Sequence, residues 1–551
     1  MRFRDLCAVL WGLGWLVASQ AAVLRCADGV DVGAAVSSNG FGFNLGNTRQ
    51  QVSALTADNV ARLRLVRTHV AEGSVEKRGA PVLTAQTVYF TEGMSLVASD
   101  RQSGCAHWRY DGAAHNKPLL GSSALRSSPI YVPPRGQRRA LVLVGDFNGV
   151  VYAVDAQTGQ EVWQRFLGTD PSQHMVTGSP QVHEGVMYLP VASKEVVSTV
   201  LSFFSPCCTS HGLLQAVDVY TGRILWTYHT APPATYSEAT GMSGPSGMSI
   251  WGTPLVDPVR RQVLVGTGQN LSRPATANSD AIVALDMATG REKWVFQAVK
   301  GDTWNAACQA PSFLGKHCPH PAGADFDFGA PPVLATLPQG GQLVLAGSKN
   351  GTVYALDPDT GKLKWSQAVG VGGSLGGIHW GLAVDGERVY AGVTDVWVNK
   401  MSRLAVGELI SGGLLSNMAQ VPGGHPGVYA LDLATGRLLW ARHIQHRHGG
   451  KLVDSLFSAA LSVSNDVVWA ASLDGTVHAL RSRDGEPLWS YQTAVAVTDV
   501  NGVAGHGGTT DSVGPVPAGR ELYVNSGYNT FGGANAWQGG PGNVLFVFRL
   551  P

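Results

Sequence analysis

The chain has 551 residues, of which 44% are hydrophobic and only 14% charged, so it carries ample apolar material for a large core and too little charge for a disordered chain. Forty Lys and Arg against 39 Asp and Glu leave a formal charge of +1, which excludes nucleic acid or an anionic membrane surface as an electrostatically driven partner. With 69 Gly and 29 Pro the chain is turn-rich and reads as all-β. At its start Arg2 and Arg4 precede an apolar run over residues 6–18 and then Ser19-Gln20-Ala21, the pattern of a secretory signal peptide over residues 1–21. That run is shorter than the ~20 residues a membrane-crossing helix needs, and no later segment is long and apolar enough, so no membrane span is expected. A periplasmic or secreted mature chain is expected, with residues 22–38 as a lead-in to one large domain over 39–551. In an oxidising compartment disulfides follow: Cys207 beside Cys208, Cys308 with Cys318, and Cys26 with Cys105 by elimination. No Cys-x-x-Cys-His occurs, which argues against a covalent haem.

From residue 96 onward one unit recurs seven times, ending at Trp108, Trp163, Trp226, Trp294, Trp365, Trp440 and Trp489. Its clearest copies, VYAVDAQTGQEVW (151–163) and VYALDPDTGKLKW (353–365), alternate apolar residues up to an Asp, turn through Thr-Gly and return to Trp. This predicts a β-hairpin per unit, with the indole packing one unit against the next. In the seventh copy Arg481 replaces the Asp. Radial repetition of four-stranded sheets makes a propeller. Strand-like segments after Trp489, at 521–528 and 543–549, predict an eighth blade completed by the N-terminal segment, which removes the free edge of an open ring.

The Asp-x-x-Thr-Gly-x-x-x-Trp hairpin is similar to the tryptophan-docking motif of eight-bladed quinoproteins, which bind pyrroloquinoline quinone (PQQ) and a divalent cation on the propeller axis. Longer stretches resemble the polyvinyl alcohol dehydrogenases in order along nearly the whole chain: NGFGFNLGNTR (39–49), PCCTSHG (206–212), GPSGMSIWGTP (244–254), GDTWNAAC (301–308), ADFDFGA (324–330) and GGIHWG (376–381). The resemblance implies a PQQ-dependent alcohol dehydrogenase with Ca2+ or another divalent or lanthanide cation. It also implies an alcohol substrate and an external electron acceptor such as a separate cytochrome c. The alternative is a propeller that has kept the ring and lost the cofactor, acting as a scaffold.

PQQ is a flat orthoquinone with three carboxylates, so its holder needs an aromatic floor, a rigid ceiling, cationic groups and oxygen ligands for the cation. Trp251 stands where the relatives place the indole under PQQ, and Lys349, in Ser-Lys-Asn-Gly, matches the cation that contacts the quinone oxygens. Glu195 falls where the relatives put a metal carboxylate, and Gln269 or the adjacent Asn270 where they supply an amide. The wider alcohol dehydrogenases have an Asp directly after Trp, but Trp304 is followed by Asn305, which is no base. Asp325, 24 residues before Lys349, is the expected general base and cation ligand, with Asp302 in reserve. Adjacent Cys207 and Cys208 suit a hard lid over the cofactor, and Arg126 and Thr177 suit its carboxylates.

Overall fold

The computed structural model describes residues 24–74, 77–112, 125–200, 207–310, 315–398, 418–528 and 537–551, and the expected signal peptide lies outside them. The structure is an eight-bladed β-propeller of antiparallel sheets. Running from axis to rim, blade 1 holds Val82–Thr84, Thr87–Glu92, Ser95–Asp100 and Ala106–Asp111, and blade 2 holds Ile130–Val132, Leu141–Gly145, Val150–Asp155 and Glu161–Phe166. Blade 3 has Gln181–His183, Val186–Ser193, Leu213–Asp218 and Ile224–His229; blade 4 has Leu255–Asp257, Gln262–Gly266, Ala281–Asp286 and Glu292–Gln297. Blade 5 has Val333–Thr336, Gln342–Gly347, Thr352–Leu356 and Leu363–Ala368; blade 6 has Ala383–Val384, Arg388–Val393, Gly427–Asp432 and Leu438–Arg442. Blade 7 comprises Ser462–Ser464, Val467–Ala471, Thr476–Arg481 and Pro487–Gln492. Blade 8 takes Val516–Ala518, Glu521–Ser526 and Val544–Arg549 from the C-terminal end and its outer strand, Arg64–Val70, from the N-terminal segment.

The repeat works between blades rather than within one. In blade 2 the Asp155 carboxylate accepts the turn amides of Gln157 and Thr158 (3.0 Å each), and Gly159 adopts φ 74°. Trp108 of blade 1 lies on that turn: a Cβ on Gly159 would stand 2.8 Å from the indole, and Trp108 Nε1 donates to Ala156 O at 3.0 Å. The same contact recurs as Trp163 to Val219 O, Trp226 to Met287 O, Trp294 to Pro358 O and Trp440 to Ser482 O, at 2.9 to 3.3 Å. Glycine is required because the conformation is left-handed and the indole covers the space a side chain would fill.

The lead-in is woven into the ring. Cys26 is joined to Cys105, and Val36–Ser38 pairs with the inner strand of blade 1. From there the chain passes the inner strands of the other seven blades in order. Asn39 brackets the Tyr131 peptide of blade 2 (2.8 and 2.9 Å), and Gln181 Nε2 of blade 3 donates to Asn44 O at 2.7 Å. The amides of Val256, Leu334, Val384 and Val463 then donate to Leu45 O, Gly46 O, Thr48 O and Arg49 O at 2.9 to 3.0 Å, and Ala54 N reaches Gly519 O at 2.6 Å. This belt supplies acceptors to inner-strand amides that would otherwise be unpaired. Buried Arg49 donates to the carbonyls of Phe41, Leu461 and Val513, and burial brings its pKa down to about 9. No described helix is long and apolar enough to cross a membrane.

Candidate active site

Blades 4 and 5 carry the chemistry. Lys349 sits in the turn after Gln342–Gly347, its amide donating to Asp327 O at 3.0 Å and its carbonyl accepting from Gly377 N at 2.7 Å. Asp325 and Asp327 lie on the loop before Val333–Thr336, and Asp325 holds φ 62°, a left-handed conformation that Asp tolerates better than most residues. The Lys349 ammonium is 3.1 Å from Asp325 Oδ2 and 3.2 Å from Asp327 Oδ2. Asp327 Oδ2 also accepts from Trp251 Nε1 at 3.0 Å, and the ammonium lies 5.5 Å from the centre of the Trp251 ring. His379 and Trp380 meet that indole edge-on at 5.6 and 5.2 Å. Gly329 is required beside it, since a Cβ there would fall 1.9 Å from Trp251 Cη2.

Burial raises Asp325 well above the usual carboxylate range, with Asp327 and Asp302 adding to the rise and Lys349 opposing it. For Lys349 burial acts downward, but Asp325 and Asp327 outweigh it and hold the ammonium protonated. Asp302 is raised by burial too; its Oδ2 accepts Phe326 N at 3.0 Å, so it braces the loop that bears Asp325. Asp280 is fully buried, and both of its carboxylate oxygens lack a hydrogen-bond partner among the described residues. Asp325 and Asp327 thus share one ammonium, and Asp280 and Asp302 stand close enough to raise their neighbours, so buried carboxyl groups outnumber the cation.

Trp251, Lys349 and Asp325 thus converge as expected, and Asp327 joins them, the residue that ties indole to ammonium. Arg126 and Thr177 line one pocket together with Trp251, Arg78 and Ser128. Cys207 and Cys208 form their disulfide and pack with Val196, Met242 and Leu271; Cys308 and Cys318 form theirs. Glu195 and Asn270 also make local contacts. Glu195 accepts from the amides of Thr209 (2.9 Å) and Ser210 (2.6 Å), anchoring the segment after the vicinal cysteines. The Asn270 oxygen accepts Thr276 N at 2.9 Å and its nitrogen donates to Ser246 O at 3.2 Å, whereas Gln269 Nε2 donates to Trp304 O at 3.1 Å. No group of three or more His, Cys, Asp or Glu suited to a metal occurs among the described residues. Asn305 spends its amide on Leu271 O, His317 O and Ala307 N, contacts that use both its donor and its acceptor.

The family described as glucose/ethanol/alcohol dehydrogenase, beta-propeller domain, of the PQQ type, matches residues 44–368. Polyvinylalcohol dehydrogenase from Pseudomonas sp is 34% identical across 93% of this chain and 76% of its own length. The protein of the same name from Sphingopyxis sp. (strain 113P3) is 31% identical across 95% and 77%. The chain belongs to the PQQ-dependent alcohol dehydrogenase family. A europium-containing methanol dehydrogenase superposes on this dehydrogenase with a TM-score of 0.65 over 93% of this chain and 98% of its own, at 16% identity, a likeness of fold. A second description, outer membrane protein assembly factor BamB, matches residues 279–538, within the shared repeats.

Proposed function

We propose that this dehydrogenase works in the periplasm or outside the cell and oxidises alcohol groups, secondary alcohols such as those of polyvinyl alcohol among them. Its cofactors are PQQ and Ca2+ or another divalent or lanthanide cation, and its electrons leave to an external acceptor such as a separate cytochrome c. The observation that carries this reading is the buried Lys349 held between Asp325 and Asp327 against Trp251.

The residues present fit the cofactor. Trp251 gives a flat floor, Arg126 and Thr177 line the adjoining cavity for acid groups, and the rigid Cys207-Cys208 disulfide would serve as the ceiling. Unpartnered Asp280 within a surplus of four carboxylates over one ammonium fits a site that receives a cation. Asp325 would ligate that cation with the Gln269 amide, and the free lone pairs of Glu195 could complete the set; Asn270 braces the loop instead. When bound, PQQ supplies the two-electron acceptor for the alcohol's hydride. Asp325 takes the hydroxyl proton, and its burial raises its affinity for that proton. Lys349, kept protonated by its two carboxylates, stabilises negative charge that develops on the cofactor's oxygen.

Purified protein titrated with PQQ and Ca2+ is expected to gain the quinone absorbance and a higher melting temperature, because a ligand bound only by the native state stabilises it. It should then oxidise secondary alcohols with an artificial electron acceptor. The match of residues 279–538 to an assembly factor favours the scaffold as the second reading, and protein that neither binds PQQ nor turns over would establish it.

A further inference from the structure

Arg78 lines the site cavity but has been given no role so far. It lies on the loop that leads into the inner strand of blade 1 and is 4% exposed. Its guanidinium is stacked over Trp380 at 5.0 Å and Tyr528 at 4.7 Å, two rings brought in from blades 6 and 8. Nη2 donates to Thr177 Oγ1 at 2.9 Å. Trp380 in turn meets the Trp251 indole edge-on, so Arg78 is one ring away from the floor of the site. Arg78 and Arg126 line the same cavity, where the hydroxyls of Ser128, Thr177 and Ser179 supply further donors. Arg126 is stacked in the same manner, 4.5 Å from the Phe147 ring.

Asp511 lies beside the cavity-lining Ser512; burial raises its carboxyl pKa to about 6, and Arg78 opposes that rise. Stacking on aromatic rings fixes a guanidinium plane while leaving its in-plane N–H groups to carboxylate oxygens. A cavity with two such planes and several hydroxyls recognises a ligand with more than one carboxylate.

We propose that Arg78 is a second cationic anchor for the acid groups of the cofactor, acting with Arg126 across the cavity, and that Trp380 and Tyr528 hold its plane ready. This rests on the reading of PQQ as the cofactor. It divides the site into a wall that binds carboxylates and a wall, around Lys349, that faces the quinone.

The test compares PQQ with its trimethyl ester, which keeps the ring and removes the charges. Binding of each to the purified protein with Ca2+ is followed by quenching of tryptophan fluorescence. Wild type should prefer PQQ over the ester. In Arg78→Gln the affinity for PQQ should fall by about 10–100-fold while that for the ester changes little, so the preference shrinks. An equal loss for both ligands, which a merely structural role would give, overturns the proposal, and so does no loss. Should Arg78→Gln lack a native melting transition, Thr177→Val, of the same shape, removes the hydrogen bond that orients Arg78. It should cut the preference by about 3–10-fold, and an unchanged preference overturns the proposal. If wild type binds neither ligand, the cofactor reading fails; if wild type binds PQQ and Arg78→Gln binds it equally tightly, only the anchor does.

Discussion

The seam that closes the ring and the site around Lys349 are both clusters of buried charge, but they are balanced in opposite ways. At the seam Glu521 stands among three arginines: Arg101 at 2.8 Å, Arg549 Nε at 2.9 Å and Arg67 at 3.9 Å, with the Tyr523 hydroxyl donating at 2.6 Å. Burial would raise this carboxylate, yet the Tyr523 hydroxyl and the Arg101 and Arg549 guanidiniums hold it below its ordinary range. Around Lys349 the proportions are inverted, and burial pushes Asp280, Asp302 and Asp325 up. A cluster that satisfies its own carboxylate stabilises the fold; one that leaves carboxylates short of partners is arranged for something that arrives.

The largest effect should separate the two by function. Asp325→Asn is expected to cut turnover of the PQQ-loaded enzyme by about 10²–10⁴-fold while the melting temperature and PQQ binding stay close to wild type, since a general base acts in the transition state. Unchanged turnover would transfer the role to Asp302. At the seam Glu521→Gln should do the opposite. Removing one partner of a buried ion cluster costs about 3–5 kcal/mol, read in denaturant unfolding, with turnover per folded molecule unaltered. A fully stable Glu521→Gln protein would show that the pairing of Arg64–Val70 with Val544–Arg549 closes the ring unaided.

The seam also has a pH signature. Because the folded-state pKa of Glu521 lies below its ordinary value, its stabilisation is complete above that value and is lost as pH falls through the folded pKa. Wild type should therefore lose stability in acid more steeply than Glu521→Gln, and parallel acid limbs in melting scans would contradict the assignment.

The ring was legible in the sequence because each hairpin uses the same residues for the same contact: Asp for the turn, Gly under an indole, Trp for the next blade. The closure of the ring by the N-terminal segment was legible too, but the charged contacts at that seam were not, because there the chemistry changes. A Cβ on Gly104 would lie 2.4 Å from Arg67 Cδ, and Arg67 donates to Arg101 O as five of the docking Trp donate to the residue after the turn's first position. Arg67 thus occupies the docking position of blade 8, and the signal available was that Gly104 of blade 1 needed a partner from outside the Trp series. The belt of residues 36–54 escaped notice for a similar reason, since it has no hydrophobic period and takes its shape from inner-strand amides. In the site, Trp251, Lys349 and Asp325 could be found by their motifs. Asp327, Asp280 and Arg78 could not, because their roles come from contacts across blades.

The smallest expected effect concerns Asp280, which carries the contrast between seam and site in one residue. It is fully buried, its carboxylate oxygens have no donor among the described residues, and the charges that bear on it are mostly negative: Asp302, Asp327 and Asp325 against Lys349. In metal-free protein this side chain destabilises the fold through its desolvation and the repulsion of its neighbours. Asp280→Asn keeps the size and removes the charge, so the variant in EDTA should melt slightly higher than wild type, by about 1 °C for each kcal/mol relieved. The same change lowers the negative potential that draws a cation in, so the rise in melting temperature on adding Ca2+ should be smaller than in wild type. Seam variants should leave that rise unchanged. If Asp280→Asn instead melts lower in EDTA and responds fully to Ca2+, Asp280 is a structural acid like Glu521, and the surplus of charge at the site is smaller than the four carboxylates suggest.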